Sequence, residues 1–318
     1  MTEAHPAVGG IRMVFGGNVF GWTIDRDQSF AVLDAFYEGG GRMVDSAEGY
    51  SAWVPGNKGG ESETVIGAWM ESRGVRKDMR IGTKTGMGGP PGALAPDKVA
   101  AALTGSLERL RTDYVDLYYA HRDEAQTPID EVVAGLDAQV KAGRVRALGA
   151  SNFAPARLEA SLDSAARQGL TGYSVLQPGY NLIWRGEFPE ALHRLAVARG
   201  MLVLPYYALA AGFLSGKYRT PEDLTGTRGG NARMFADAGW KALPVLDAVA
   251  KETGAAMSEV ALAWLNTRPA IHAPVASGTT VEQVAQLCAA AKLRLRQDQI
   301  ARLTAVSVDA AGNGAGAD

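Results

Sequence analysis

Four side chains in this 318-residue sequence have the types needed to move a proton: a carboxylate (Asp45), a phenol (Tyr50), an amine (Lys84) and an imidazole (His121). Asp45 and Tyr50 lie in "MVDSAEGYS" (43–51), where the chain leaves a short apolar run and turns polar. Lys84 lies in "IGTKTG" and His121 in "LYYAHRD", each at the end of another strand-like run. Each residue alone has an ordinary explanation: an acid capping a turn, a surface tyrosine, a solvated lysine, a satisfied histidine. Four such groups at three consecutive strand ends are harder to explain that way. Glu48, between Asp45 and Tyr50, reads as a turn residue.

The elements that would position these groups are legible. Strand-like runs occur at 11–15, 41–45, 79–83, 114–119, 145–150, 172–177, 201–206 and 270–275. Helical patterns separate them, at 29–39, 61–73, 96–111, 128–142, 155–168 and 187–199; two more fall within 241–267, and 281–291 and 297–307 close the chain. Pro96, Pro128 and Pro155 stand at helix starts. Gly143, Gly169 and Gly200 follow helix ends, where a left-handed residue is favoured. Eight strands alternating with helices predict a parallel sheet, and eight is the number that closes a barrel. The expected fold is a single-domain (β/α)8 TIM barrel over 11–308, with a long loop after strand seven (about 206–240), C-terminal helices, and flexible tails at 1–10 and 309–318. "FGGNVFG" (15–21) does not fit the glycine spacing of a dinucleotide-binding open sheet.

Composition narrows the function. A net charge of −2 offers no electrostatic case for nucleic acid or an anionic membrane. The start has no signal-peptide pattern, and no apolar run is long enough to span a membrane. The single cysteine, Cys288, excludes an internal disulfide and reads as a packed thiol in a reducing, cytoplasmic setting. Four histidines and one cysteine without ligand-like spacing predict no metal site. The oligomeric state is not legible.

The constellation resembles the aldo-keto reductase family. "DSAEGY" (45–50) is similar to its Asp-Thr-Ala-x-x-Tyr signature, with Lys84 and His121 at the remaining catalytic positions. The resemblance continues through "GASNF" (149–153), "QPGYN" (177–181), "YYALAAGFLSGKY" (206–218) and "APVASGTTVEQV" (273–284). It implies a barrel that binds a nicotinamide cofactor in extended form and reduces a small-molecule carbonyl to an alcohol. In that reading Tyr50 donates the proton, and Lys84, oriented by Asp45, lowers the phenol's pKa from about 10. His121 hydrogen-bonds the substrate oxygen and polarises it.

The same resemblance implies the cofactor contacts. Ser151, Asn152 and Gln177 would clamp the carboxamide, Tyr206 would stack on the ring, and Asn18, Val19 and Asp45 would lie near it. Leu209 and Gly212 would offer backbone near the pyrophosphate, with positive charge from Lys217 and secondarily Arg228. Ser277, Thr279 and Gln283 would meet the adenosine end, where the start of helix 281–291 favours a phosphate. A basic residue common near Thr279 is absent, and Gln286 and Leu287 stand where an asparagine is usual. The expected cofactor is still NADP(H), with NAD(H) possible. Trp22, Trp53 and Tyr119 would line an apolar substrate pocket. Arg122 would meet a carboxylate or sugar hydroxyls, or pair with Asp123, and 51–63 would form a mobile lid. Two other readings remain: a Schiff-base enzyme using Lys84, which leaves Tyr50 and the clamp unexplained, and a cofactor-binding regulatory subunit with residual reductase activity.

Overall fold

The computed structural model describes residues 5–311 apart from 90 and 186. Its strands are β1 (Val14–Gly16), β2 (Met43–Asp45), β3 (Arg80–Thr85), β4 (Val115–Ala120), β5 (Val145–Ser151), β6 (Tyr173–Gln177), β7 (Leu202–Val203) and β8 (Val275–Ala276). The helices are α1 (Arg26–Glu38), α2 (Glu61–Arg73), α3 (Pro96–Leu110), α4 (Ile129–Lys141), α5 (Pro155–Gln168) and α6 (Glu190–Ala198). They continue with α7 (Gly226–Ala232), α8 (Ala236–Thr253), α9 (Met257–Leu265), α10 (Val281–Ala290) and α11 (Gln297–Ala311).

All eight strands are parallel, in the order β7-β6-β5-β4-β3-β2-β1-β8. The ring closes where Val203 donates to Ala270 O (3.1 Å), His272 donates to Val203 O (2.9 Å) and Val275 donates to Pro205 O (2.9 Å). The fold is therefore the expected (β/α)8 barrel. Its strands are apolar on both faces, as a parallel sheet wrapped by helices requires. Leu117 and Tyr119 of β4 pack inside the barrel with Val14, Met43 and Val175, whereas Tyr118 and Ala120 face the helices. The period-2 alternation that aims Met43 inward does the same for Asp45.

Helix ends follow the expected chemistry. Pro96 and Pro155 open α3 and α5, whereas Pro128 is one residue earlier, as the N-cap of α4. Gly143, Gly169 and Gly200 all have positive φ. The loop after β7 is not structureless: it carries short 3-10 turns and α7, anchored by Phe213 against Trp240 at 4.6 Å between centroids.

The tails differ from expectation. Residues 5–10 do not dangle: Ala7 and Val8 are fully buried against the barrel floor, and His5 Nε2 lies 3.0 Å from Ser174 Oγ. These two small apolar residues join the cluster inside the barrel, a tertiary effect with no local signal. α11 runs on to Ala311; residues 1–4 and 312–318 lie outside the described residues. Val8→Ala should cost about 2 kcal/mol through lost burial and the cavity left behind. Urea unfolding checks this, and an unchanged midpoint would mean that the segment is not docked.

Candidate active site

Lys84 projects inward from β3 and is fully buried. An ammonium has three protons, and three acceptors meet them: Asp45 Oδ2 at 2.5 Å, Ser46 O at 2.7 Å and Tyr50 OH at 2.8 Å. Asp45 is held from across the barrel by Gln177 Nε2, which donates to Oδ1 at 3.1 Å. Gly82 makes room for this carboxylate, because a Cβ there would come 3.3 Å from Asp45 Oδ1. His121 follows β4, with its N–H donating to Thr85 O at 2.8 Å, and its ring centroid is 6.1 Å from that of Tyr50.

The loop carrying Tyr50 is tied on both sides. Glu48 accepts from Thr85 Oγ1 (2.6 Å) and Gly86 N (3.1 Å), so it pins the loop to the end of β3. Ser51, at φ 71°, donates to Phe20 O (2.7 Å), and Asn57 Nδ2 donates to Gly21 O (2.9 Å). The mobile lid expected at 51–63 is thus an anchored turn leading into α2. Beneath it, Ser46 Oγ lies 2.8 Å from Ser62 Oγ, and Ser62 donates to Gly17 O at 2.8 Å. The buried Glu63 of α2 joins Thr83 of β3 (2.5 Å) to Arg109 of α3 (2.7 Å). Helix and strand are locked directly behind the site.

The electrostatics divide the groups. Burial works against charge on Lys84, but Asp45 and Tyr50 together outweigh it, and its ammonium is held above the usual lysine range. Burial, followed by the Lys84 charge, pushes His121 well below 6.5, so its imidazole is neutral and can donate one hydrogen bond while accepting another. For Tyr50 the expected acidification is corrected. Burial raises the phenol above 10.0, Lys84 only partly offsets this, and Asp45 pushes it further up. The carboxylate that steadies the lysine cancels much of its field at the phenol. Tyr50 therefore holds its proton at neutral pH, as a proton donor must.

A cavity of about 740 Å³ opens over these groups, lined by Gly16, Asn18, Asp45, Tyr50, His121, Ser151, Asn152, Gln177, Tyr206, Leu209, Gly212 and Ser277. That volume suits a small-molecule ligand. The strand-end amides form one network: Ser151 donates to Gln177 O (2.8 Å), Asn152 Nδ2 to His121 O (2.8 Å), and Tyr206 OH to Asn152 Oδ1 (2.9 Å). Ser277 donates to Asn18 Oδ1 at 2.6 Å. Gly212 sits at φ 92° with the exposed Lys217 amine beside it; a Cβ there would come 3.0 Å from Nζ. A backbone that approaches closely beside an exposed amine fits the bridge of an anionic dinucleotide. Thr279 and Gln283 border the site without lining the cavity; Gln283 Oε1 accepts from Thr279 N at 2.9 Å. Thr280 caps α10, and Glu282 is in its first turn.

Several expected contacts fall elsewhere. Val19 is fully buried in the core between barrel and helices, because its 3-10 turn aims it inward, so its side chain cannot reach a cofactor. Tyr119 is fully buried inside the barrel, paired in register with Lys84 rather than facing the pocket, and its hydroxyl has no partner among the described residues. Arg122 is exposed and borders a second cavity with Met87, Asn152 and Glu187. Its proposed partner Asp123 is instead bound by Arg157 at 2.8 Å. Trp22 and Trp53 do line the main cavity, T-shaped to each other at 5.5 Å, with Met87, Tyr207, Arg228 and Asn231. Met87 and Asn231 had no periodicity or motif to mark them, and Tyr207, although inside the stretch 206–218, had no role assigned, because only the folded loops bring these residues to the rim.

The sequence profile of the aldo/keto reductase family matches residues 12–308, and the chain belongs to that family. It is an NAD(P)H-dependent oxidoreductase by that membership. It is 30% identical over 300 residues to an aryl-alcohol dehydrogenase [NADP(+)] of Phanerodontia chrysosporium, covering 87% of this chain and 75% of the relative. It is 32% identical over 294 residues to norsolorinic acid reductase stcV of Emericella nidulans (86% and 70%). A probable voltage-gated potassium channel subunit beta of Oryza sativa subsp. japonica is 28% identical over 278 residues (84% and 83%).

The neutral imidazole yields a prediction. As the pH is lowered through 6.5, NMR should show the His121 ring still unprotonated. The unfolded chain binds that proton first, so stability should fall as the pH drops below this point, and His121→Phe should remove that part of the slope. A His121 ring that titrates at its ordinary value would contradict the burial argument.

Proposed function

We propose that the protein reduces an aldehyde or ketone to an alcohol with NADP(H), Tyr50 supplying the proton. The observation that carries this is the Lys84–Tyr50 hydrogen bond of 2.8 Å at the floor of the cavity, beside a neutral His121. The reduced nicotinamide supplies the hydride. Ser151, Asn152, Gln177 and Tyr206 hold its ring end, Gly212 and Lys217 its diphosphate, and Ser277, Thr279 and Gln283 its adenosine end. His121 donates a hydrogen bond to the carbonyl oxygen, which fixes it near the phenol and polarises it. As charge builds on that oxygen, Tyr50 releases its proton toward it. Lys84 stabilises the phenolate left behind, an interaction strengthened by the dry surroundings.

Trp22, Trp53, Met87 and Tyr207 give the substrate side an apolar, largely aromatic wall. This favours an aromatic carbonyl compound, in keeping with the name of the aryl-alcohol dehydrogenase relative. The rice relative's name speaks for a regulatory subunit, but the four assembled groups favour catalysis. An assay of NADPH oxidation with a reactive aromatic aldehyde separates the two.

Tyr50→Phe should bind NADPH normally yet lose turnover, on the order of a hundredfold to ten-thousandfold. Near-normal aldehyde reduction by this variant would remove Tyr50 from the mechanism. The preference for NADP(H) rests on the Thr279 and Thr280 hydroxyls, the α10 N-terminus and the cofactor named for the Phanerodontia relative. Glu282 opposes a phosphate there, so the preference is modest. At equal concentrations NADPH should support the faster rate; faster turnover with NADH would overturn the preference.

A further inference from the structure

The proton chemistry leaves a second cavity unused. It measures about 430 Å³ and shares Met87 and Asn152 with the main cavity as lining residues, so the two meet at the rim. Phe153, Pro155, Pro189 and Leu192 give it apolar walls. Two charges of opposite sign also line it: Arg122, which follows β4, and Glu187, which precedes α6.

These two charges are free in a neighbourhood where the others are taken. Asp123 is bound by Arg157 at 2.8 and 3.0 Å, and Glu124 accepts from Gly92 N (3.2 Å) and Gln126 N (3.0 Å). Among the described residues, Arg122 and Glu187 make no ion pair, with each other or with a third group, and no side-chain hydrogen bond. Both stand on anchored backbone. On one side of Arg122 the His121 N–H donates to Thr85 O at 2.8 Å, and on the other the Asp123 N–H donates to Asn152 O at 3.5 Å. Glu187 precedes Phe188, which is buried against Tyr180 at 5.6 Å and His193 at 5.7 Å, and Pro189, the N-cap of α6. Burial and then Glu187 push the Tyr206 phenol up from its ordinary range, and Arg122 acts against them, so both charges are felt in the main cavity.

The signs of the two charges select the ligand. A lone carboxylate would gain Arg122 and the uncapped start of α5, whose Ala154 and Pro155 line the same cavity, but it would meet Glu187. A lone ammonium would gain Glu187 and meet Arg122. A head group carrying both charges complements both at once. We infer that the second cavity holds a zwitterionic head group of the substrate, an α-amino acid end with its carboxylate at Arg122 and its ammonium at Glu187. The aromatic ring of that substrate lies beside Trp53 and Met87, and its carbonyl at Tyr50. This rests on the reductase reading for the carbonyl end alone.

The test uses 4-formyl-L-phenylalanine, its N-acetyl derivative and its methyl ester as substrates. The three corresponding 4-(hydroxymethyl) compounds serve as ligands, titrated calorimetrically into the protein with and without NADP. N-acetylation removes the ammonium and esterification removes the carboxylate; working at about pH 6 keeps the ester's amine protonated. Wild type should bind the zwitterion more tightly than either derivative by about threefold to tenfold, with the difference in KM rather than kcat. Glu187→Gln should abolish the preference over the N-acetyl compound and keep that over the ester, and Arg122→Gln should do the reverse. Both side chains are exposed, so both variants should fold. Equal binding of the three compounds by wild type would overturn the inference. Tightest binding of the N-acetyl compound would overturn it too, by making this a simple anion site, as would either variant weakening all three ligands equally. If the zwitterion binds selectively and the variants respond as stated, but no aldehyde is reduced, the zwitterion site stands and the reductase reading falls.

Discussion

A fully buried ammonium governs the arrangement of this barrel. Moving a charged lysine out of water is tolerated only when every proton finds an acceptor and a counter-charge is close. Lys84 meets that demand with one carboxylate oxygen, one backbone carbonyl and one phenol. The demand fixes several elements at once. Asp45 must sit at the inward end of β2, Ser46 must turn its carbonyl back toward β3, and the following loop must return Tyr50 over the barrel mouth. Gln177 extends the constraint to β6 by holding the other Asp45 oxygen. The ends of three strands and one loop are thus placed by a single side chain.

The same burial separates the protonation states of neighbouring groups. Low dielectric penalises charge wherever it is not paired. Lys84 is paired and stays charged; His121 is not, and the lysine beside it makes protonation harder still. Tyr50 is close to both members of the ion pair, so their fields oppose each other and desolvation decides in favour of the neutral phenol. A protonated phenol, a neutral imidazole and a fixed cation are the set that a proton donor, an orienting donor and a charge stabiliser require. For the proposed reduction, no group would need to change state before a carbonyl arrived. The positive field becomes valuable when the phenol begins to ionise, which is when stabilisation accelerates a reaction.

Much of this was legible in the sequence, and the reasons are physical. The interleaving of apolar runs with helical periodicity marked all eight strands and the helices around them, because burial on both strand faces leaves a composition signal. The candidate residues Asp45, Lys84 and His121 were legible because they lie at or just after strand ends, where chain position alone predicts the rim, and Tyr50 follows Asp45 on the loop after β2. Residues whose place depends on loop conformation were less so. Val19 and Tyr119 stand next to plausible pocket positions, but one is turned into the core and the other lies inside the barrel beneath the site. Glu48 read as a turn acid because its carboxylate reaches Thr85 and Gly86, which are distant in sequence. Ala7 and Val8 carried too little apolar signal to reveal that they join the cluster inside the barrel. The direction of the Tyr50 shift needed the three-dimensional balance of burial and two opposite charges.

The rim separates into two sides with different chemistry. One, from Ser151 and Gln177 through Gly212 to Ser277, is polar and built largely from backbone and amide groups on or near strand ends. The other, from Trp53 and Trp22 to Tyr207, is aromatic and built on loops, where sequence varies most freely among related barrels. In the proposed reaction the barrel would supply the proton chemistry and the loops would select what reaches it. The central claim is tested most directly by a crystal structure of the NADPH complex at neutral pH, read at the Lys84 amine. The account predicts Nζ within hydrogen-bond distance of Asp45, the Ser46 carbonyl and the Tyr50 hydroxyl, with that hydroxyl facing the nicotinamide. An amine turned away from the phenol, or a phenol directed away from the ring, would contradict it.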